Sequence, residues 1–313
     1  MTLLTIFSAP KPFTDPHIAT IQRNAIQSWL HLGPHVEVLL VGEEAGLADV
    51  AAEYEVPLLS QVQRNDSGTP LVSSIFDLAR QASTNPFLVY VNADILLLPD
   101  LIQATRQVCA ALKPGSASPE SCSLSEGGPP FLLIGQRWDL DLQLMWDFSP
   151  GWDERLLTET RVRGQLHRPA GSDYFVFPRS AFTHIPDFAI GRAGWDNWMI
   201  YHARQQGWPV IDGTPSVMII HQNHDYSHLP GGKPHYDLEE SQQNMSLAGG
   251  NAHMYMVLDS TCRLANGRLL PPTITVPRFV RSVERRLMPP DGRLRGLRGA
   301  LTRRLRRLRR RMY

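Results

Sequence analysis

Short apolar runs alternate with amphipathic stretches through the first hundred residues. Residues 3–8 and 36–41 are continuous hydrophobic runs, closed by Ser8-Ala9-Pro10-Lys11-Pro12 and by Gly42. Buried parallel strands read this way. Between them Ile18, Ile21, Ala25, Ile26, Trp29 and Leu30 recur at helical spacing, which predicts a helix over about 16–32. Asp15-Pro16 supplies its N-cap and first-turn pair. A short helix near 46–54, a brief strand near 57–59 and a helix opened by Thr69-Pro70 follow. Strands alternating with helices predict parallel pairing with right-handed crossovers.

The next run, Phe87-Leu88-Val89-Tyr90-Val91-Asn92-Ala93-Asp94-Ile95-Leu96-Leu97-Leu98-Pro99, carries an acid. A carboxylate where a buried strand exits is costly unless it has a partner. In open α/β sheets the ligand crevice lies at these strand ends. Asp94 therefore either binds a cation beside a phosphorylated substrate or caps the turn into the next segment. Beyond it the pattern predicts a helix over about 101–112, a mobile Pro/Gly/Ser-rich loop over 114–130 and a strand over 131–135. The region 139–169 reads as partly helical; 174–177 and 217–220 read as strands, the second running into His221.

Composition narrows the class. The chain has 313 residues, enough for one large domain or two modest ones. Its charge and hydrophobic content are those of a soluble globular protein, and no apolar stretch reaches the roughly 20 residues that span a bilayer. The N-terminus lacks a cationic region followed by a long apolar core, so no signal peptide is expected. Cys109, Cys122 and Cys262 form neither a disulfide framework nor a zinc spacing, which favours a reducing cytoplasm.

Four polar clusters sit at the ends of apolar segments: Asn92-Ala93-Asp94, Gly171-Ser172-Asp173-Tyr174, Gly194-Trp195-Asp196-Asn197, and His221-Gln222-Asn223-His224 continuing to His228. A D-x-D-like triplet after a half-sheet, then Gly-Trp-Asp at a helix start, then a histidine after a late strand, resembles the GT-A-fold glycosyltransferases, closest to bacterial family-2 types. The resemblance covers about 3–228. It implies an α/β fold: a GT-A-like, Rossmann-type mixed sheet flanked by helices. It further implies transfer of a sugar from a nucleotide-diphosphate donor to a hydroxyl acceptor, with inversion, in cell-surface glycan synthesis.

Such a transfer needs a cation on the leaving diphosphate. Asp94 matches the family's metal-binding acid, and Asn92 stands where the family usually has Asp, leaving one carboxylate in the triplet. His221 matches the late histidine that gives a further metal contact, with His224 and His228 as alternatives. The implied cofactor is Mn2+ or Mg2+, and an imidazole ligand favours manganese. Asp196 matches the base that takes the acceptor proton, although Asp at a helix start also serves as a plain cap. Asp173 is the competing acid. The resemblance puts Ser8, Pro10, Glu43 and Arg64 with Asn92 and Asp94 around the donor, and Trp195 against the acceptor. A sugar-1-phosphate nucleotidyltransferase is an alternative, but the loop after the first strand lacks its Gly-rich Arg-Lys signature. A non-catalytic, membrane-bound sugar-binding scaffold is another.

Charge changes the picture of the C-terminus. From Arg278 to Tyr313 there are 14 arginines against Glu284 and Asp291, a net charge of +12, leaving −11 for the rest of the chain. Leu294, Leu297, Leu301, Leu305, Leu308 and Met312 recur at helical spacing among these arginines. This predicts a basic amphipathic helix on an anionic membrane surface, at the inner face of the plasma membrane, holding the enzyme near a glycan or lipid-linked acceptor. The acidic body argues against nucleic acid as a partner. The expected organisation is a catalytic domain over 1–265, with a nucleotide-binding half at 1–100 and an acceptor and catalytic half at 130–230, followed by a basic tail at 278–313.

Overall fold

The computed structural model describes residues 3–112, 129–224, 238–289, 292 and 294–313. Most of the loop expected at 114–130, and His228, lie outside them. The first half contains β1 (Leu4–Ser8), α1 (Pro16–Leu30), β2 (Val36–Val41), α2 (Leu47–Glu53), β3 (Leu58–Leu59), α3 (Val72–Ala82), β4 (Phe87–Val91), β5 (Ile95–Leu97) and α4 (Asp100–Leu112). Then come β6 (Leu132–Ile134), β7 (Arg137–Leu140), α5 (Trp152–Arg163), β8 (Gln165–Leu166), β9 (Tyr174–Pro178), α6 (Trp195–Gln205), β10 (Val210–Asp212) and β11 (Ile219–Gln222). The C-terminal part adds α7 (Glu239–Leu247), β12 (Cys262–Ala265), β13 (Arg268–Leu270), α8 (Val276–Leu287) and α9 (Gly296–Arg310).

Hydrophobic periodicity places the early elements well. Asp15 caps α1, its carboxylate accepting from the amides of His17 and Ile18 at 2.9 Å, and Pro16 fills the first turn. The larger sheet is mixed, in the order β13-β12-β10-β6-β9-β4-β1-β2-β3. β3, β2, β1 and β4 are parallel, as the alternation with helices predicts, while β9 runs antiparallel between β4 and β6. Apolar side chains on the two faces pack into separate clusters, one around Trp29, Val89 and Leu101, the other around Phe76, Tyr90 and Phe175.

The apolar run through Asp94 is two strands. It breaks at 92–94 and resumes as β5, which joins a second sheet in the order β5-β11-β7-β8. A small third cluster of Leu96, Leu98, Leu140, Trp152, Leu156 and Ile220 supports that sheet. The Trp29 indole N–H donates to the Ile95 carbonyl at 2.9 Å, so α1 holds the resumed strand in place. The turn therefore lies between the two sheets.

The basic tail folds onto the body. Glu284 of α8 is fully buried and meets Arg281 at 3.2 Å, Arg306 at 2.9 Å and Arg309 at 3.1 Å, which joins α8 to α9. Arg281 also pairs with Asp259 at 2.7 Å. α9 turns Gly299, Thr302 and Arg309 inward and leaves Leu297, Leu301 and Leu308 exposed. Half of the expected stripe thus lies on the outer face of a docked helix, while Leu294, Leu305 and Met312 are half-buried. Among the described residues no helix is long and apolar enough to cross a membrane. The cysteines depart from expectation: Cys262 is free, but Cys109 is disulfide-bonded. A disulfide removes the argument that cysteine usage favours a reducing compartment.

Glu284→Ala should leave three guanidinium groups without their shared carboxylate. Removing one side of a buried ion pair costs on the order of 3–5 kcal/mol. Urea unfolding should show a loss of that size, and a loss below about 1 kcal/mol would mean that the buried pairing contributes little.

Candidate functional site

The carboxyl ends of β1 and β4, the start of α6 and the end of β11 converge on one cleft of about 1010 Å³. Crevices form at such strand ends because neighbouring connections diverge there. The loop after β1 contributes Pro10 and Lys11, the β4–β5 turn Asn92 and Asp94, and the segment before β9 Asp173. Trp195 and Asp196 enter from α6, His221 and His224 from β11 and its exit.

Asp94 and two histidines form a tight group. Asp94 Oδ2 lies 3.2 Å from His224 Nε2 and 3.7 Å from His221 Nε2. One ligand atom from each residue falls within a 4.8 Å span. The strand pairing explains the geometry: His221 sits opposite Ile95 in β5, so its side chain stands beside the turn that ends in Asp94. His224 follows just after β11 and closes the group. Asp94 Oδ1 is buried with no hydrogen-bond partner among the described residues. A buried carboxylate oxygen of this kind is costly unless a cation takes it. Burial pushes the Asp94 carboxyl up, but His221, the hydrogen bond from His224 and the nearby Lys11 outweigh it and hold it well below the usual carboxylate range. One carboxylate oxygen and two imidazole nitrogens suit a divalent ion such as manganese better than magnesium, which prefers oxygen ligands alone.

A second layer fixes these groups. His221 Nδ1 lies 3.3 Å from Asp139 Oδ1, within ion-pair range but not aligned as a hydrogen bond. Asp139 also contacts His167 at 2.6 Å and Arg137 at 2.8 Å. Burial raises the Asp139 carboxyl, and His167, His221 and Arg137 more than reverse that shift. A carboxylate behind a ligating imidazole orients the ring and raises its basicity.

Arg137 joins this layer to Asp173, at 3.0 Å. Asp173 Oδ1 also accepts from the Asn92 amide nitrogen at 2.8 Å, while Asn92 Oδ1 accepts from the Tyr90 hydroxyl at 3.1 Å. This explains asparagine at 92. A carboxylate there would confront Asp173 across a hydrogen-bond distance, whereas the amide donates to it. Asp173 is thus anchored by a cation and an amide.

Asp196 has a different environment. Gly194, with φ of +108°, lets the chain turn into α6, and Asp196 follows in the first turn. Burial pushes its carboxyl up to about 6, against the backbone amide of Asn197, and Asp173 pushes in the same direction as burial. Gly171 packs against it so closely that a Cβ there would lie 2.2 Å from Asp196 Oδ2. The amide of Asn197 donates its side-chain N–H groups to the carbonyls of Ala170 and Tyr255 at 3.1 and 2.6 Å, which fixes the helix start over that loop. Asp196 combines cleft access with a raised proton affinity. Trp195 is buried, its ring 5.0 Å from Tyr90 and 5.4 Å from Phe175. It borders the cleft mainly as part of the core.

The donor-side expectations separate. Pro10 lines the cleft. Ser8 is buried, its hydroxyl donating to the Val91 carbonyl at 2.6 Å, so it ties the ends of β1 and β4 together. Glu43 is exposed and its neighbour Glu44 lines the cleft instead. Arg64 pairs with Glu44 at 2.9 Å and so positions a lining residue from outside. Sequence reasoning missed Lys11, Asp139, Arg137 and His167. Lys11 sits in the flagged Pro10-Lys11-Pro12 loop, but nothing along the chain shows that it faces Asp94. The other three belong to partly helical or strand segments whose meeting depends on the second sheet.

No protein-family profile matches the chain, and no curated protein does. Solved structures that it is similar to include the mannosyltransferase PcManGT from Pyrobaculum calidifontis in complex with GDP-Man and Mn2+, at 12% identity and a TM-score of 0.44. That match covers 79% of this chain and 62% of the other. Glucosyl-3-phosphoglycerate synthase from Mycobacterium tuberculosis, in complex with Mn2+, UDP and glucosyl-3-phosphoglycerate, matches at 16% identity and a TM-score of 0.43, covering 80% of this chain and 81% of its own. TarS 1-349 from S. aureus in complex with UDP-GlcNAc matches at 10% identity and a TM-score of 0.45, covering 79% and 66%.

The Asp196 environment has a measurable consequence. Its native pKa of about 6 exceeds the ordinary 3.8, so the native state holds the proton more tightly than the unfolded chain. Stability is therefore lost as pH rises through about 4 to 6. Asp196→Asn, which cannot ionise, should gain on the wild type by up to about 3 kcal/mol between about pH 4 and pH 7.5. Urea midpoints at the two pH values check this. A difference that does not change with pH would show that Asp196 titrates normally.

Proposed function

We propose that this chain is a metal-dependent glycosyltransferase that moves a sugar from a nucleotide-diphosphate donor to a hydroxyl acceptor, with inversion. The observation that carries the reading is the Asp94–His221–His224 group in the same cleft as the high-pKa Asp196. Asp94, His221 and His224 would hold the divalent ion. When bound, such an ion neutralises charge that develops on a leaving diphosphate. Lys11 faces the same region and adds positive charge for the phosphates. Pro10 and Asn92 border the donor, with Glu44 held by Arg64 rather than Glu43 at its edge.

Asp196 takes the acceptor proton as the hydroxyl attacks. A base with a pKa of about 6 is ionised at neutral pH yet retains proton affinity. Asp173 is held by Arg137 and Asn92, and it is better suited to position sugar hydroxyls and to tune Asp196. This division separates the two acids that the sequence left in competition.

Manganese titration by calorimetry, followed by a donor panel that includes GDP-Man and UDP-GlcNAc, tests the site. Asp94→Ala should abolish tight manganese binding and donor cleavage. Asp196→Asn should leave metal binding intact and slow transfer by roughly 10²–10⁴. Near-normal turnover in Asp94→Ala with added manganese would sink the metal assignment.

The docked tail supports association with an anionic membrane surface. Leu297, Leu301 and Leu308 of α9, with Phe279 of α8, face outward among arginines. Apolar side chains beside clustered cations suit the headgroup region, each basic residue contributing on the order of 1 kcal/mol. The full chain should sediment with phosphatidylglycerol vesicles and not with phosphatidylcholine vesicles. The combined change Leu297→Ser, Leu301→Ser and Leu308→Ser should release it while preserving the melting temperature. Equal sedimentation of the changed and unchanged chains would remove the helix as the anchor.

A further inference from the structure

The cleft has a second charged end that the metal-and-base reading does not use. Arg306, Arg309 and Arg310 of α9 line it, together with Arg281 of α8. Three of these guanidinium groups, those of Arg281, Arg306 and Arg309, pair with two carboxylates, Glu284 and Asp259, and Arg310 lines the cleft beside them. The acids are already committed. Glu284 takes Arg281, Arg306 and Arg309, and Asp259 takes Arg281 through both of its oxygens.

The cations are not used up in the same way. Arg281 spreads its donors over Asp259, Glu284 and the Met254 carbonyl. Arg306 and Arg309 reach Glu284 only through Nε, so among the described residues their Nη groups donate to no protein acceptor. Arg309 is only 6% exposed yet borders the cleft. Burial disfavours its charge, Glu284 favours it and the neighbouring Arg281 opposes it, with a net lowering of its proton affinity, so an incoming anion would favour the charged form. Glu284 fixes both side chains by their Nε atoms and leaves the forked ends available. A planar guanidinium with free Nη groups is suited to two-point contact with a phosphoryl group.

We propose that Arg306, Arg309 and Arg310 form a phosphoryl-binding site at the tail end of the cleft, where they hold a phosphate of the acceptor. The identification of its ligand as the acceptor rests on the transferase reading; the anion site itself does not. It makes the basic tail part of the substrate site on its inner face. The acceptor would be a phosphorylated molecule whose attacking hydroxyl reaches Asp196 while its phosphate stays on α9.

Calorimetry of the full chain with inorganic phosphate, in metal-free buffer containing a chelator, tests the site. One site is expected, and Arg306→Gln combined with Arg310→Gln should weaken it at least tenfold. If that double change does not fold, as judged by its melting curve, Arg310→Gln alone should weaken binding about threefold, since Arg310 takes no part in the Glu284 pairing. Glycerol 3-phosphate and phosphatidylglycerol vesicles then compete for the site. Displacement by the first alone indicates a soluble phosphate, and displacement by the vesicles a lipid headgroup. The proposal is overturned if the wild type binds no phosphate, if the altered protein binds it equally well, or if neither competitor displaces it. No donor turnover is read here, so the manganese and donor experiments fail or succeed independently.

Discussion

The Asp94–His221–His224 end of the cleft depends on how the chain passes from one sheet to the other at Asp94. The Asp94 carbonyl accepts from the Gln222 amide at 3.1 Å and lies 3.3 Å from Gln222 Nε2. Gln222 is itself fully buried, its side chain donating to the Ile21 carbonyl at 2.7 Å and accepting from Asn24 at 2.9 Å. Buried amides of this kind are costly unless each polar atom is satisfied, so the network selects one arrangement of β5, β11 and α1. That arrangement points the Asp94 carboxylate toward His221 and His224. The site is thereby built on strand ends tied to a packed helix.

The acids in the cleft divide according to what stands next to them. Asp94 and Asp139 are surrounded by imidazole and cationic groups, and Asp173 has Arg137 and the Asn92 amide. Asp196 is set chiefly by burial, with backbone amides and the neighbouring Asp173 carboxylate around it. Carboxylates of one chemical type are driven to different proton affinities by such differences alone, which is how a site assigns separate roles to them. Asn92 belongs to the same economy of charge: the triplet gives up one acid because Asp173 occupies the adjoining position.

The C-terminal segment shows how one sequence pattern serves two faces. Leu297, Leu301 and Leu308 are exposed, while Thr302, Arg306 and Arg309 turn toward α8 and the cleft. A single buried carboxylate, Glu284, makes the inward arrangement possible by sharing three guanidinium groups. Without it, like charges would drive the two helices apart.

The sequence by itself determined the order and type of most elements. Short apolar runs identify β1, β2, β4 and β9, and Asp15-Pro16 marks the start of α1, because local patterning and capping act over a few residues. It also singled out Asp94, Asp173, Asp196 and His221, since charged groups at the ends of buried segments are visible along the chain. Only the tertiary structure decided that the run through Asp94 divides between two sheets, that His224 joins His221, and that Asp139 stands behind the ring. It likewise brought Glu44 rather than Glu43 to the cleft lining, put Ser8 and Trp195 in packed positions, and turned Arg306 and Arg309 toward Glu284. These outcomes depend on strand pairing and burial between residues more than a hundred positions apart, such as Asp94 with His224 and Asn24 with Gln222. Local spacing carries no record of which distant partner will satisfy a buried charge.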